Sequence, residues 1–203
     1  PTGATNRTSR ASLPGSDDTL RKQLPNGLTV LVRENFASPA VVISGYIRAG
    51  ALDETDENRG LAGFTADVMQ RGTHRRSFRQ LYEDVESIGA TFGLNTATTT
   101  SSFAAKGLAG NLRLLLDVLA DILRYPAFPE RQVEKVRAEI LTDLQERRHD
   151  TRRMASLKFY ELAYPEHHPY HWSHLGYERT IRSITREDLI AFHRDNIGPQ
   201  DAV

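Results

Sequence analysis

Apolar and polar positions along the chain alternate in blocks that change period, and the blocks predict a succession of strand pairs and helix pairs. Leu24-Pro25-Asn26-Gly27 is turn chemistry, and Leu28 to Val32 then alternates as a strand. After Pro39, the run Ala40 to Ile47 is rich in Val, Ile and Tyr and predicts a buried strand, antiparallel to the first across a short connection. From Gly60 to Thr73 the period becomes helical. At about 100° per residue, Leu61, Phe64, Thr65, Val68 and Met69 share one broad face, and Gly63, Ala66 and Asp67 form a nearly bare opposite one. The acidic stretch Asp53 to Asn58 precedes that helix, where negative charge favours the positive end of its dipole, and Gly72 stops it.

Ser77 predicts the N-cap of a second helix, with Phe78, Leu81, Val85 and Ile88 on its apolar face and Gly89 as terminator. Two threonine-rich strands follow, Ala90 to Asn95 and Thr99 to Lys106, joined through Thr96-Ala97-Thr98. The leucine-rich segment 111–123, closed by Pro126 and Pro129, is expected to be the most buried helix. Glu130 opens a long helix with Val133, Val136, Ile140 and Leu144 on one stripe and Asp143 at its edge. The run Arg147-Arg148-His149-Asp150-Thr151-Arg152-Arg153 is expected to be a solvated break before another helix near Met154. Tyr164 to Tyr177 has no regular period, and Thr185 caps a last short helix through Phe192, with no closing strand before Val203. The sum is α+β, a mostly antiparallel sheet with helices packed on one face. Residues 1–22 are expected to be a flexible lead-in, and 23–203 a single domain, a fragment of a longer two-domain subunit.

Composition narrows the function classes. With 203 residues, 39% of them hydrophobic, the chain can bury a core. Lys and Arg number 26 and so do Asp and Glu, which leaves no net field to gather nucleic acid. No apolar run reaches the roughly 18 residues of a membrane span. The absence of cysteine removes disulfides, thiolate metal sites and cysteine catalysis. The compartment is left open; a soluble chain of a bacterial periplasm or cytoplasm is the expectation.

The candidate chemistry lies on the bare helix face. Positions 63, 66 and 67 have the H-x-x-E-H spacing, in which two histidines one helical turn apart can hold zinc while a glutamate between them acts as general base. Here the spacing carries Gly63, Ala66 and Asp67. Gly and Ala offer a metal no lone pair, and alanine cannot activate water. A second reading is His167, His168, His171 and His174, whose imidazoles could converge on an ion; Pro165 and Pro169 break the regularity that convergence needs, and the segment fits an ordinary loop better.

These features together resemble one family. Leu24-Pro25-Asn26-Gly27-Leu28, Tyr46 to Ala51, the context Gly60-Leu61-Ala62 through Arg71-Gly72-Thr73, Glu134-Lys135-Val136-Arg137 leading to Asp143, and His168-Pro169-Tyr170, Leu175-Gly176 and Ser183-Ile184-Thr185 resemble the N-terminal domain of the M16 zinc peptidases, the insulinase and mitochondrial processing peptidase family. The resemblance implies the LuxS/MPP-like metallohydrolase fold. It places the two histidine ligands at Gly63 and Asp67, the general base at Ala66 and the glutamate ligand at Asp143, 76 positions after Asp67. All four depart from the catalytic pattern, so no catalytic residue and no zinc are expected. It also implies that Asn95, Thr96, Ala97 and Thr98 fall on the edge strand that takes an extended peptide by strand addition; a polar hairpin with a covered edge fits the residues equally well. The expected function is an inactive subunit that pairs with a catalytic partner carrying H-x-x-E-H and helps enclose peptide substrates. The alternatives are a structural scaffold without peptide contact and an atypical metalloendopeptidase with unusual ligands.

Overall fold

The computed structural model describes residues 15–203. Strands β1 (Leu20–Gln23) and β2 (Thr29–Val32) form an antiparallel hairpin of their own, with Leu20 opposite Val32. Strands β3 (Ala40–Ile47), β4 (Thr91–Thr96) and β5 (Ser101–Leu108) form a separate antiparallel sheet in the order β3-β5-β4. The expected pairing of the first long strand with β3 is therefore not made. β2 finds its partner across the Asn26-Gly27 turn, whereas β3 pairs along its whole length with β5, Ala40 opposite Leu108 and Ile47 opposite Ser101. β1 also begins inside the stretch expected as lead-in; residues 1–14 of that stretch lie outside the described residues.

One face of the sheet is covered. Val41, Ile43 and Ile47 of β3, Phe103 and Ala105 of β5 and Phe92 and Leu94 of β4 point inward, while Val42, Tyr46 and Leu108 on the other face are exposed. Helices α1 (Leu61–Met69), α2 (Phe78–Glu86) and α3 (Leu112–Arg124) lie on the inner side, backed by α4 (Glu130–Arg147), α6 (Glu178–Ser183) and α7 (Arg186–Asn196). The expected N-caps are in place: Ser77 Oγ accepts from the Gln80 N–H, and Thr185 Oγ1 from that of Asp188. Helix α6 had no signal in the apolar pattern.

Two expectations about burial are corrected. The most buried helix is α1, with seven of nine residues buried, because it lies between the sheet, α4 and α7; the leucine-rich α3 leaves Leu112 and Leu116 on the surface. The basic run is also more than a solvated break. Helix α4 continues to Arg147, which is buried, and α5 (Thr151–Ala163) starts at Thr151, with Asp150 as its cap accepting from the N–H groups of Arg152 and Arg153. The end of the chain pairs as well: Val203 exchanges two main-chain hydrogen bonds with Tyr46, each 3.0 Å, and Ala202 accepts from Thr29. A short closing contact is thus present where none was expected. No helix among the described residues is long and apolar enough to cross a membrane.

Candidate functional site

Helix α1 begins at a buried carboxylate. Glu54, 8% exposed, accepts from the N–H of Gly60 at 3.0 Å and of Ala62 at 2.8 Å, occupying two of the unpaired donors of the first turn. Burial pushes its pKa up to about 7 against those two hydrogen bonds. The loop after α5 docks on the same helix end. Gly60 (φ 96°) and Gly176 (φ 72°) pack backbone against backbone, and a Cβ on Gly60 would stand 2.9 Å from the Gly176 Cα. Thr180 Oγ1 donates to the Arg59 carbonyl at 2.6 Å, and Arg147 donates to Ser173 Oγ at 2.8 Å.

The outer face of α1 thus looks onto Ser173–Gly176. Gly63 is half-buried with the His174 carbonyl 3.9 Å from where its Cβ would be, so the space beside it is open. Ala66 is buried, 4% exposed, and lies near Ile47, Leu94 and Phe103 of the sheet. Asp67 keeps contact with solvent, yet its pKa is pushed up to about 6, first by crowding that strips water from the carboxylate, with Arg71 opposing and Glu139 assisting. The bare face is therefore bare only at Gly63 and Asp67. On α4, Asp143 receives a fork of two hydrogen bonds from Arg153 of α5, 3.1 Å to Oδ1 and 2.9 Å to Oδ2. A guanidinium holds both its oxygens. His174 is held below its usual pKa by burial and by Arg147.

The other histidines serve the loop. His168 stacks on Tyr164 with ring centres 4.5 Å apart and accepts from the Tyr170 N–H at Nδ1, and His171 Nδ1 lies 2.8 Å from the Tyr164 carbonyl. His167 is exposed. Among the described residues, no three His, Cys, Asp or Glu side chains gather as a metal site would require.

Along the edge strand, Asn95 pairs with Ser102 and Thr96 with Ser101; the Thr96 hydroxyl lies 3.0 Å from Ser101 Oγ. The Ala97 carbonyl accepts from the Ala51 N–H at 3.2 Å and that of Thr98 from Leu52 at 2.9 Å, so the hairpin tip is held by the segment after β3. The pattern of apolar positions did not single out Arg153, Arg147, Glu54 or Gln70. Arg153 and Arg147 were hidden in a run of charges, Glu54 in an acidic stretch. For Gln70 the signal is an amide directly after an apolar helix.

This is an α+β domain with helices gathered on one face of an antiparallel sheet. The sequence profile of Insulinase (Peptidase family M16) matches residues 29–169, and the chain belongs to that family. It is 35% identical to a protein of Arabidopsis thaliana named probable mitochondrial-processing peptidase subunit beta, over 82% of this chain and 31% of that protein. A Neurospora crassa mitochondrial-processing peptidase subunit beta is 30% identical over 85% of this chain and 36% of that one. The chain thus spans about a third of these relatives' length. Among solved structures, a peptidase M16 inactive domain from Pseudomonas fluorescens superposes with a TM-score of 0.85 at 20% identity, covering 91% of this chain and 45% of that one. The fold is the α+β metallohydrolase fold that the sequence led one to expect.

Proposed function

We propose that this chain is a non-catalytic M16 subunit domain that pairs with a zinc-bearing partner carrying H-x-x-E-H and helps enclose a peptide substrate. The observation that carries the reading is the state of the four family positions. Gly63 and Ala66 have no donor atom, Asp67 stands alone on the outer face of α1, and both oxygens of Asp143 are engaged by Arg153. That donor set does not fit zinc, which needs three or four well-directed lone pairs. Ala66 cannot take a proton from water, and it is buried, 4% exposed.

Two relatives are named as subunits, which supports a role within an assembly. The peptide role rests on β4, which lies at one edge of the sheet order and offers backbone pairing that does not depend on a metal. The test is made on the purified chain, alone and co-expressed with an M16 protein from the same genome that contains H-x-x-E-H. Less than about a tenth of an equivalent of zinc, no cleavage alone, and a stable complex whose peptidase activity exceeds that of the partner by itself are the expected results. Stoichiometric zinc in the isolated chain, or chelator-sensitive cleavage by it, would overturn the reading. A complex with unchanged proteolysis would favour a scaffold.

A further inference from the structure

Among the described residues, strand β4 pairs with β5 on one side only, and its other side is a sheet edge. In an antiparallel ladder, successive residues turn their N–H and C=O alternately toward the partner and away from it. The Ala97 N–H bonds to the Thr100 carbonyl across the hairpin, which fixes the phase: Asn95 and Gly93 face β5, while Thr96, Leu94 and Phe92 face outward. Leu94 is therefore the middle of the three outward positions.

That middle position is filled by a side chain. Gln70, the residue that closes the last turn of α1, accepts from the Leu94 N–H through Oε1 at 3.0 Å and donates to the Leu94 carbonyl through Nε2 at 3.3 Å. Nε2 also reaches the Ala66 carbonyl at 3.2 Å, which fixes the orientation of the amide: exchanging O and N would set donor against donor and acceptor against acceptor. A glutamine amide carries one carbonyl and N–H donors on a planar unit, as a peptide bond does. The contact with Leu94 is the two-point contact an added strand would make.

We propose that Gln70 is a built-in strand surrogate: its amide closes the free edge of β4 at Leu94, and an extended peptide pairs with that edge only when this side chain swings away. With the centre taken, one outward residue remains on each side, too little for a strand to hold. The hairpin tip beyond Thr96 is already tied to Ala51 and Leu52, so the central position decides whether the edge is open. Gln70 also spans from the Ala66 carbonyl to β4, so the movement that frees Leu94 gives up the bond to α1 at the same time. The competition rests on the proposed peptide role of β4; the closure itself does not.

The test uses the full chain as wild type, Gln70→Ala and Gln70→Glu, the last placing a carboxylate against two carbonyl oxygens. Circular dichroism and melting confirm that each variant is folded. Amide hydrogen exchange at Leu94 reports the edge, and fluorescence anisotropy reports binding of a labelled, unstructured peptide of about 15 residues with alternating apolar positions, alongside the same peptide N-methylated at every second residue. The expected result is roughly tenfold faster exchange at Leu94 and roughly tenfold tighter peptide binding in both variants, lost with the N-methylated peptide. Unchanged exchange at Leu94 would overturn the closure. Faster exchange with equal peptide affinity in all three proteins would overturn the competition while leaving the peptide role of β4 intact. Faster exchange with no binding by any of them would overturn that peptide role and the competition with it.

Discussion

Burial of Glu54 makes the stability of the fold depend on pH. Its pKa rises from the usual 4.5 to about 7 on folding, so between these values the folded chain binds the proton that the unfolded chain has released. The stability it contributes is whole below about pH 4.5 and is lost as pH rises through about 7, a change of about 3 kcal/mol at most. Asp67 shifts in the same direction but keeps contact with water, which screens its effect. His193, held low by burial, acts in the opposite direction, gaining stability as pH rises toward 6.5. Urea midpoints measured from pH 4.5 to 8 should therefore fall more steeply in wild type than in Glu54→Gln, which mimics the protonated acid. Equal slopes would show that the two helix N–H bonds hold Glu54 ionised. The sequence made part of this visible: the acidic stretch before α1 was legible as helix-favouring charge, but which carboxylate turned inward was not. That choice depends on the chain folding back so that residue 54 meets residues 60 and 62.

At the scale of elements, the connection between α1 and α2 is held to α3 and its end by main-chain bonds, His74 N–H to the Tyr125 carbonyl and Ala127 N–H to that of Gly72, and by a network around one buried carboxylate. Asp121 is 1% exposed and accepts from Thr73 Oγ1 at 2.7 Å and from Arg76 at 2.9 Å, while Arg76 also reaches Asp84 and Asp117. Removing one partner of a buried pair leaves the other charge uncompensated, which costs about 3–5 kcal/mol, whereas an exposed pair is worth about 1 kcal/mol or less. Asp121→Ala should therefore lower the unfolding free energy by several kcal/mol in urea titration, and Asp117→Ala by less than about 1. Comparable losses would show that the network, not the buried carboxylate, holds the elements. Periodicity placed α1, α2, α3, α4 and α7 near their observed positions because each presents an apolar stripe to the core. It misjudged which is deepest, since counting leucines measures the hydrophobicity of a helix and not how many elements surround it. It missed the link from α5 to Asp143, since Arg153 looks like any other member of a basic run.

At the scale of the molecule, the antiparallel class of the sheet and the β4–β5 hairpin were legible, and the strand order was not. The spacing from Gly63 through Asp143 survives as two facing helices, because helix packing fixes where those positions lie whatever residues fill them. Strand order depends on pairings between segments far apart in sequence: β3 meets β5 some sixty residues away, across a covered face that local alternation cannot assign. The end of the chain is the clearest case. Ala202 packs with Ile47, Ala49 and Leu28 and accepts from Thr29 at 3.2 Å, while Val203 pairs with Tyr46. Two residues thereby join the β1–β2 hairpin to the free side of β3. Gly27 (φ 92°) makes the approach possible, since a Cβ there would stand 2.9 Å from the Gln200 Cα. If this contact couples the two sheets, a chain ending at Asp201 should lose about 2 kcal/mol of stability, and the Thr29 and Tyr46 amides should exchange faster. Amides of Leu119 and Ile122 in the core of α3 should slow or quicken only with global stability. Unchanged exchange at Thr29 would mean that the hairpin is held by the side-chain cluster around Leu28 instead, and that the closing contact adds to β3 alone.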